Sequence, residues 1–278
     1  MIVDIHTHFW SESDVKSESV SDAENAGGVF PRFNITSEMH LEETGAVDKA
    51  VVFGLRGRGM NISNDTVKAQ VDRAPHRLIF FTSVNPSEEG FMDELERTHQ
   101  ELGARGIKLG PIYQGVHPKD VRYRLIYSYA QKHGLPIVIH MATTYVHDFP
   151  LEYARPIHMD EIAIDYPNLK IVLAHLGHPW NGEAISIIRR QPNVYADISA
   201  LYYRPWQFYN AMQLLVEYGT WKKVFFGSDF PFTKPADSIQ GVRNVNHIVK
   251  GTNLPKIPED VIEDILNRDS LSILGIKS

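Results

Sequence analysis

The chain has 278 residues, of which 43% are apolar and 22% charged, an ordinary globular composition with enough apolar residues for a large core. A formal net charge of −6 argues against nucleic acid or an anionic membrane as a partner. The absence of cysteine excludes disulfides, thiolate nucleophiles and cysteine-ligated zinc, and leaves thirteen histidines as the only soft ligands.

No stretch approaches the roughly eighteen consecutive apolar residues of a membrane span, and no basic leader with an apolar core precedes the first predicted strand. A soluble, cytoplasmic protein is expected. Along the chain, short apolar runs rich in β-branched residues alternate with stretches of helical period. The first predicted strand, 2–6, runs into Asp4-Ile5-His6-Thr7-His8. A connection over 10–34 follows, rich in Ser, Asp, Glu and Gly, and its length marks it as a candidate lid or substrate loop. Ser37 can cap a helix over 38–43, with Gly45 just past its end. Strand 50–53 is followed by a helix that Asn64 can cap and that ends at Pro75. Strand 78–84 leads to helix 87–102, closed by Gly103, and strand 106–109 to helix 119–133, closed by Gly134. Strands 137–140, 171–175 and 194–198 precede helices 159–166, 182–190 and 206–218, which stop at Pro167, Pro192 and Gly219. An eighth strand, 224–227, is followed by 236–250 and a final amphipathic helix, 259–266.

Eight strand–helix units in strict alternation, with near-continuous apolar strands, predict a single-domain α/β protein: a (β/α)8 TIM barrel over residues 1–278. A doubly wound open sheet is the alternative, but eight regularly spaced units favour closure. No repeat, low-complexity tract or polar linker marks a second domain.

On such a barrel the ionisable residues fall in one place. His6 and His8 leave strand one, Lys108 strand four, His140 strand five and His175 strand six, while Asp229 sits two residues past strand eight. Each is at a C-terminal strand end, the face on which barrel enzymes build their sites. Any one of these histidines alone reads best as a satisfied core or loop residue. Five ligand-type residues and a lysine converging from five strands are harder to dismiss. His6 and His8 share one side of their strand because side chains alternate with period two. Imidazoles with one carboxylate suit Zn²⁺, with Mn²⁺ or Fe²⁺ as alternatives, and activate water. Asp229 can ligate the metal or hold a proton, and His175 can act as general acid or base.

The strings DIHTH, GIKLG, PIVIH, VLAHLGHPW and FGSDFP resemble those of the amidohydrolase superfamily. They are nearest its amidohydrolase-2 branch, which includes aminocarboxymuconate-semialdehyde decarboxylase, resorcylate decarboxylases and lactone hydrolases. The likeness spans essentially the whole chain, in order. It implies that His6, His8, His140 and Asp229 bind one divalent metal, usually zinc, with His175 as catalytic base or proton donor. Lys108 stands where binuclear members carry a carboxylated lysine, and on that reading His175 becomes a ligand of a second metal. VLAHLGHPW and FGSDFP favour the mononuclear branch, with Lys108 then used for substrate or simply hydrogen-bonded in the barrel.

Substrate contacts are expected from Arg56 and Arg58, in the loop Gly54-Leu55-Arg56-Gly57-Arg58-Gly59, which could grip a carboxylate bidentately or simply be solvated. Trp10 and Tyr113 could wall the pocket or equally pack the loops on themselves, and His178 is loop structure or a weaker candidate contact. Asp197, late in strand seven, reads best as a polar strand end. The expected activity is a metal-dependent hydrolase using metal-activated water on a small, carboxylated carbonyl compound such as a lactone or amide. A non-oxidative decarboxylase with the same residues is the alternative, and the lack of extended insertions tips the balance to hydrolysis. Partners are a small-molecule substrate and a second copy in a homodimer, the latter implied by the branch. A non-enzymatic barrel is disfavoured because no ligand is missing, and a serine hydrolase because no G-x-S-x-G exists.

Overall fold

The computed structural model describes residues 1–11, 14 and 35–277, so the predicted lid over 10–34 lies almost wholly outside the described residues. Eight strand positions appear: β1 (Val3–His8), β2 (Lys49–Phe53), β3 in two pieces (Leu78–Phe80 and Thr82–Ser83), β4 (Ile107–Leu109), β5 (Ile137–His140), β6 (Ile171–Ala174), β7 (Val194–Asp197) and β8 (Val224–Phe225). All neighbours pair in parallel. The expected continuous strand 78–84 breaks at Phe81, whose N–H donates to the Val52 carbonyl while Thr82 N–H turns to Gly106. At that point the strand passes its hydrogen bonding from β2 to β4. The ring closes where Ile5 N–H donates to Phe226, Asp229 N–H to His6 and His8 N–H to Phe230, at 3.1, 2.8 and 2.7 Å. The protein is therefore a TIM barrel.

β1 carries an irregularity that places the histidine pair. Asp4 pairs with Ala50 and Thr7 with Val52, so three steps on β1 face two on β2, a one-residue bulge. Val3 and Ile5 join the inner apolar cluster with Val51, Phe53, Val138, Val172 and Phe225. Beyond the bulge, His6 and His8 both lie against Phe53, with ring centroids 4.9 and 4.8 Å away. The bulge thus lets inward apolar residues give way to inward ligands without a wasted position.

The outer layer comprises α1 (Ser37–Glu43), α2 (Asn64–Val71), α3 (Phe91–Gln100), α4 (Val121–His133), α5 (His158–Asp165), α6 (Asn181–Arg190), α7 (Pro205–Tyr218), α8 (Pro235–Arg243), α9 (Glu259–Leu266) and α10 (Ser270–Leu274). Two caps differ from expectation by one residue. Thr36, not Ser37, accepts from Met39 N–H, and Ser63 caps α2, which releases Asn64 to bond Ser83 on β3. The stretch 236–250 divides into α8 and a 3-10 segment, Val245–Val249. On α9, Val261, Ile262, Ile265 and Leu266 are all buried, each contributing about 1.5–3 kcal/mol. Leu271 and Leu274 of α10 complete the inner cluster.

Candidate metal centre and pocket

His6, His8, Lys108, His140, His175 and Asp229 all come together at the C-terminal mouth, each nearly inaccessible to solvent. Gly227 makes this approach feasible: a Cβ there would fall 2.8 Å from that of His6. Asp229 Oδ1 lies 3.3 Å from His6 Nε2 and 3.4 Å from His8 Nε2. His140 Nδ1 and His175 Nε2 are 3.1 Å apart. Among the described residues, His6, His175 and Asp229 form one three-donor group whose ligand atoms all lie within 4.8 Å of one another. His175, expected as the proton carrier, therefore stands among the donors, while His8 and His140 each approach one member of that group.

The outer hydrogen bonds fix which nitrogens face inward. Asp197 Oδ2 accepts from His6 Nδ1–H at 2.9 Å, leaving the Nε2 lone pair on the site. The Ala142 carbonyl accepts from His140 Nε2–H at 3.0 Å, leaving Nδ1. Ser199 gives its hydroxyl proton to Asp197 Oδ1, so it must accept from His175 Nδ1–H at 2.7 Å, which leaves Nε2. Two lone pairs then face each other across 3.1 Å with no proton between them. That is an unfavourable contact unless a cation lies against at least one of them or a proton lies between them. Donors at 2.0–2.1 Å from a tetrahedral centre are roughly 3.4 Å apart, close to the spacings seen here. The donor set fits a divalent metal.

Electrostatics agree. Burial, then the charge of Lys108, holds His6 and His8 well below the ordinary histidine pKa and pushes His140 down to about 3. Burial, then His6, does the same to His175. All four rings are neutral at pH 7, the form a metal requires. Burial also drives the Asp229 carboxyl well upward, against the pull of Lys108, a cost that a bound cation offsets. Lys108 itself is pushed down to about 8 by burial; its Nζ lies 2.8 Å from His6 Nε2 and 4.4 Å from the centre of the Phe53 ring. Four non-glycine residues hold left-handed backbone here, His175, Leu176, Ala200 and Asp229, with φ of 58°, 45°, 59° and 64°. Such strain gathers at functional sites.

A cavity of about 790 Å³ opens over these residues. Arg58, Tyr113 and His178 line it, as expected, and burial holds His178 down at about 4. Arg58 is ion-paired with Asp148. Two expected contacts stand elsewhere. Arg56 turns to Glu88 at 2.7 Å and faces a separate hollow, and Trp10 is fully buried behind His8, with ring centroids 5.3 Å apart. Sequence reasoning undervalued Asp197, which orients His6 and also accepts from His175 N–H and Ser199 N–H, both at 3.0 Å. The signal available was its strand-end carboxylate in a barrel whose metal-ligating histidines need outer partners. Asp4 is a further buried carboxylate; its Oδ1 accepts from His6 N–H and Ser228 N–H at 3.1 and 2.9 Å, bracing the end of β8 against β1. Arg204, lining the cavity, had no sequence signal at all.

The amidohydrolase family model, Amidohydro_2, matches residues 3–274. No curated protein matches the sequence. Among solved structures, an uncharacterized TIM-barrel protein from Bordetella bronchiseptica is 20% identical, with 99% of this chain and 98% of that one covered and a TM-score of 0.74. A probable 2-pyrone-4,6-dicarboxylic acid hydrolase from Acinetobacter baumannii, with citric acid bound, is 16% identical, covers 99% of both chains and has a TM-score of 0.70. A dihydroxybenzoic acid decarboxylase from a Polaromonas species, with manganese and the inhibitor 2-nitroresorcinol, is 15% identical, with 99% and 96% covered and a TM-score of 0.65.

Proposed function

The chain belongs to the amidohydrolase family, and on that premise we propose that it is a metal-dependent hydrolase acting on a small carboxylated carbonyl compound, a lactone or amide. The observation that carries the reading is the convergence of inward lone pairs on His6, His140 and His175 with the Asp229 carboxylate. His6, His8, His140 and Asp229 would hold one divalent ion, with zinc as first choice and manganese, present in the Polaromonas structure, as second. When bound, the ion supplies Lewis acidity, lowering the pKa of water and polarising the substrate oxygen.

The protein's own groups perform the proton transfers. His175 Nε2 takes a proton from the attacking water and returns it to the leaving oxygen or nitrogen. The imidazolium formed in between is stabilised through Nδ1–H, Ser199 and the Asp197 carboxylate. Lys108 Nζ, at the floor of the cavity, donates to the oxygen on which charge develops. Arg58 and His178 lie on the cavity wall, where they can orient the substrate.

The test is a screen of lactones, amides and aromatic or muconate carboxylates with metal-loaded protein, detecting hydrolysis products and CO₂ separately. Hydrolysis with one metal per chain supports the proposal. CO₂ release without hydrolysis assigns a carboxy-lyase at the same site, and a protein that binds no divalent metal defeats both.

A further inference from the structure

The histidine pair on β1 and Asp229, on the turn after β8, meet where the barrel closes, and the backbone there departs from a regular ladder. Successive N–H groups of a strand alternate between its two neighbours. Ile5 N–H goes to Phe226, past β8, so the N–H of His6 is due to β2. The bulge breaks that step, because Ile5 and His6 together face Val51 alone. Two side chains of β1 take up the groups left over. Thr7 Oγ1 donates to the Val51 carbonyl at 2.7 Å, and Asp4 Oδ1 accepts from His6 N–H at 3.1 Å. The same Asp4 oxygen accepts from Ser228 N–H at 2.9 Å. One buried oxygen thus joins the backbone of one proposed ligand, His6, to the residue directly before another, Asp229.

Asp229 needs such a hold. Its backbone is left-handed, with φ 64°, a conformation that persists in a non-glycine residue only where the surroundings fix it. Its N–H donates to the His6 carbonyl and its carbonyl accepts from Phe232 N–H, both at 2.8 Å. On the preceding residue, the Ser228 hydroxyl oxygen accepts from Phe230 N–H at 3.0 Å, and the Ser228 carbonyl accepts from the Thr233 hydroxyl. The bonds within 228–233 shape the turn, and Asp4 ties the turn to the bulge. Resting on the proposed metal centre, we infer that Asp4 is a positioning residue. It sets the separation of His6 Nε2 and Asp229 Oδ1, 3.3 Å, through the two backbones it joins. It does so as a hydrogen-bond acceptor rather than through its charge. Both bonds to Oδ1 come from peptide N–H groups, for which the side-chain oxygen of asparagine is an acceptor of the same shape.

The test measures zinc affinity, by competition with a chelator, and the melting temperature of the metal-free protein, on the full chain. Asp4→Asn keeps the acceptor in place, and its zinc affinity should stay within about threefold of the parent protein. Asp4→Ala leaves both N–H groups without it and should weaken zinc about 10- to 100-fold, the range for groups that orient ligands. Asp4→Glu keeps the charge but moves the oxygen by one methylene, and should weaken zinc at least about tenfold. Asn64→Ala controls for general loosening. Asn64 holds the N–H and carbonyl of Ser83, at 2.9 and 3.0 Å, on β3, a strand without a proposed ligand. That variant should melt lower while its zinc affinity stays within about threefold of the parent. Parental zinc affinity in Asp4→Ala or Asp4→Glu, a loss in Asp4→Asn as large as in Asp4→Ala, or an equal loss in Asn64→Ala would each overturn the assignment. Failure of both Asp4→Ala and Asp4→Glu to fold would assign Asp4 to the fold and not to the metal centre. A parent protein that takes up no zinc is a separate failure, that of the metal centre itself.

Discussion

Two groups of histidine and carboxylate sit on the βα side of this barrel, and the same residue types serve opposite ends in them. In His6, His175 and Asp229, the outer nitrogens donate to Asp197 and Ser199, so lone pairs face inward. In His117, Glu152 and His158, Lys119 N–H donates to His117 Nδ1, which forces the proton of the neutral ring onto Nε2, facing Glu152. His158 Nε2 likewise donates to Glu152, with the carboxylate at 2.8 Å and the carbonyl at 3.1 Å. Protons converge in the second group where lone pairs converge in the first. The lesson is that spacing alone does not make a metal site; the hydrogen-bond partners of each imidazole, which set where its proton sits, decide it.

The sharpest way to break this contrast is to remove inward donors. Asp229→Ala and His6→Ala should each abolish tight metal binding, a loss beyond the 10- to 100-fold typical of outer-partner changes, with turnover lost alongside. Metal analysis of the purified variants checks it, and full metal content in either would disprove the ligand set. His175→Ala separates two roles for a ring that lies among the donors. The expected outcome is one metal retained with turnover reduced about 10²- to 10⁴-fold, the worth of a general acid–base group. A fall from two metals to one would instead assign His175 and Lys108 to a binuclear site. Asp197→Asn comes next in size. The amide can donate to His6 Nδ1 and so turn a protonated Nε2 toward the site, and metal affinity should fall about 10- to 100-fold. A competition titration with a chelator measures this, with the melting temperature of the metal-free protein as control for the lost bracing of His175 N–H and Ser199 N–H.

Much of the first group was legible in the sequence because barrel alternation puts strand ends on one rim. His6, His8, Lys108, His140, His175 and Asp229 could be placed there from apolar periodicity alone. What fixes their tautomers was not legible. Asp197 lies 191 residues from His6, and a polar strand end looks the same whether or not a histidine waits across the lumen. The bulge on β1 was hidden too, since DIHTH alternates cleanly with or without it. Arg56 and Arg58 were readable as cations but not as neutralised ones, because Glu88 and Asp148 reach them only through the fold. Arg204 carried no motif and became visible only as part of the cavity lining.

The smallest effects belong to the second group, and they probe the contrast from the other side. Glu152→Gln removes the charge between two N–H donors on a half-exposed surface, so the stability cost is roughly 0–1 kcal/mol and the metal stoichiometry stays unchanged. The pH dependence has a definite sign. Burial, opposed by the charge of Glu152, lowers the pKa of His158 below its ordinary value, so the unfolded chain binds more protons at this position than the folded one. The stability contributed by the neutral ring is complete above the unfolded-state pKa of about 6.5 and is lost as the pH falls through the folded-state value. His158→Gln should therefore flatten the acid side of the curve of melting temperature against pH, with little change at pH 8. Zinc titration of this variant completes the test: if it binds one equivalent fewer than the parent protein, the proton-converging group is a metal site after all and the contrast with His6, His175 and Asp229 collapses.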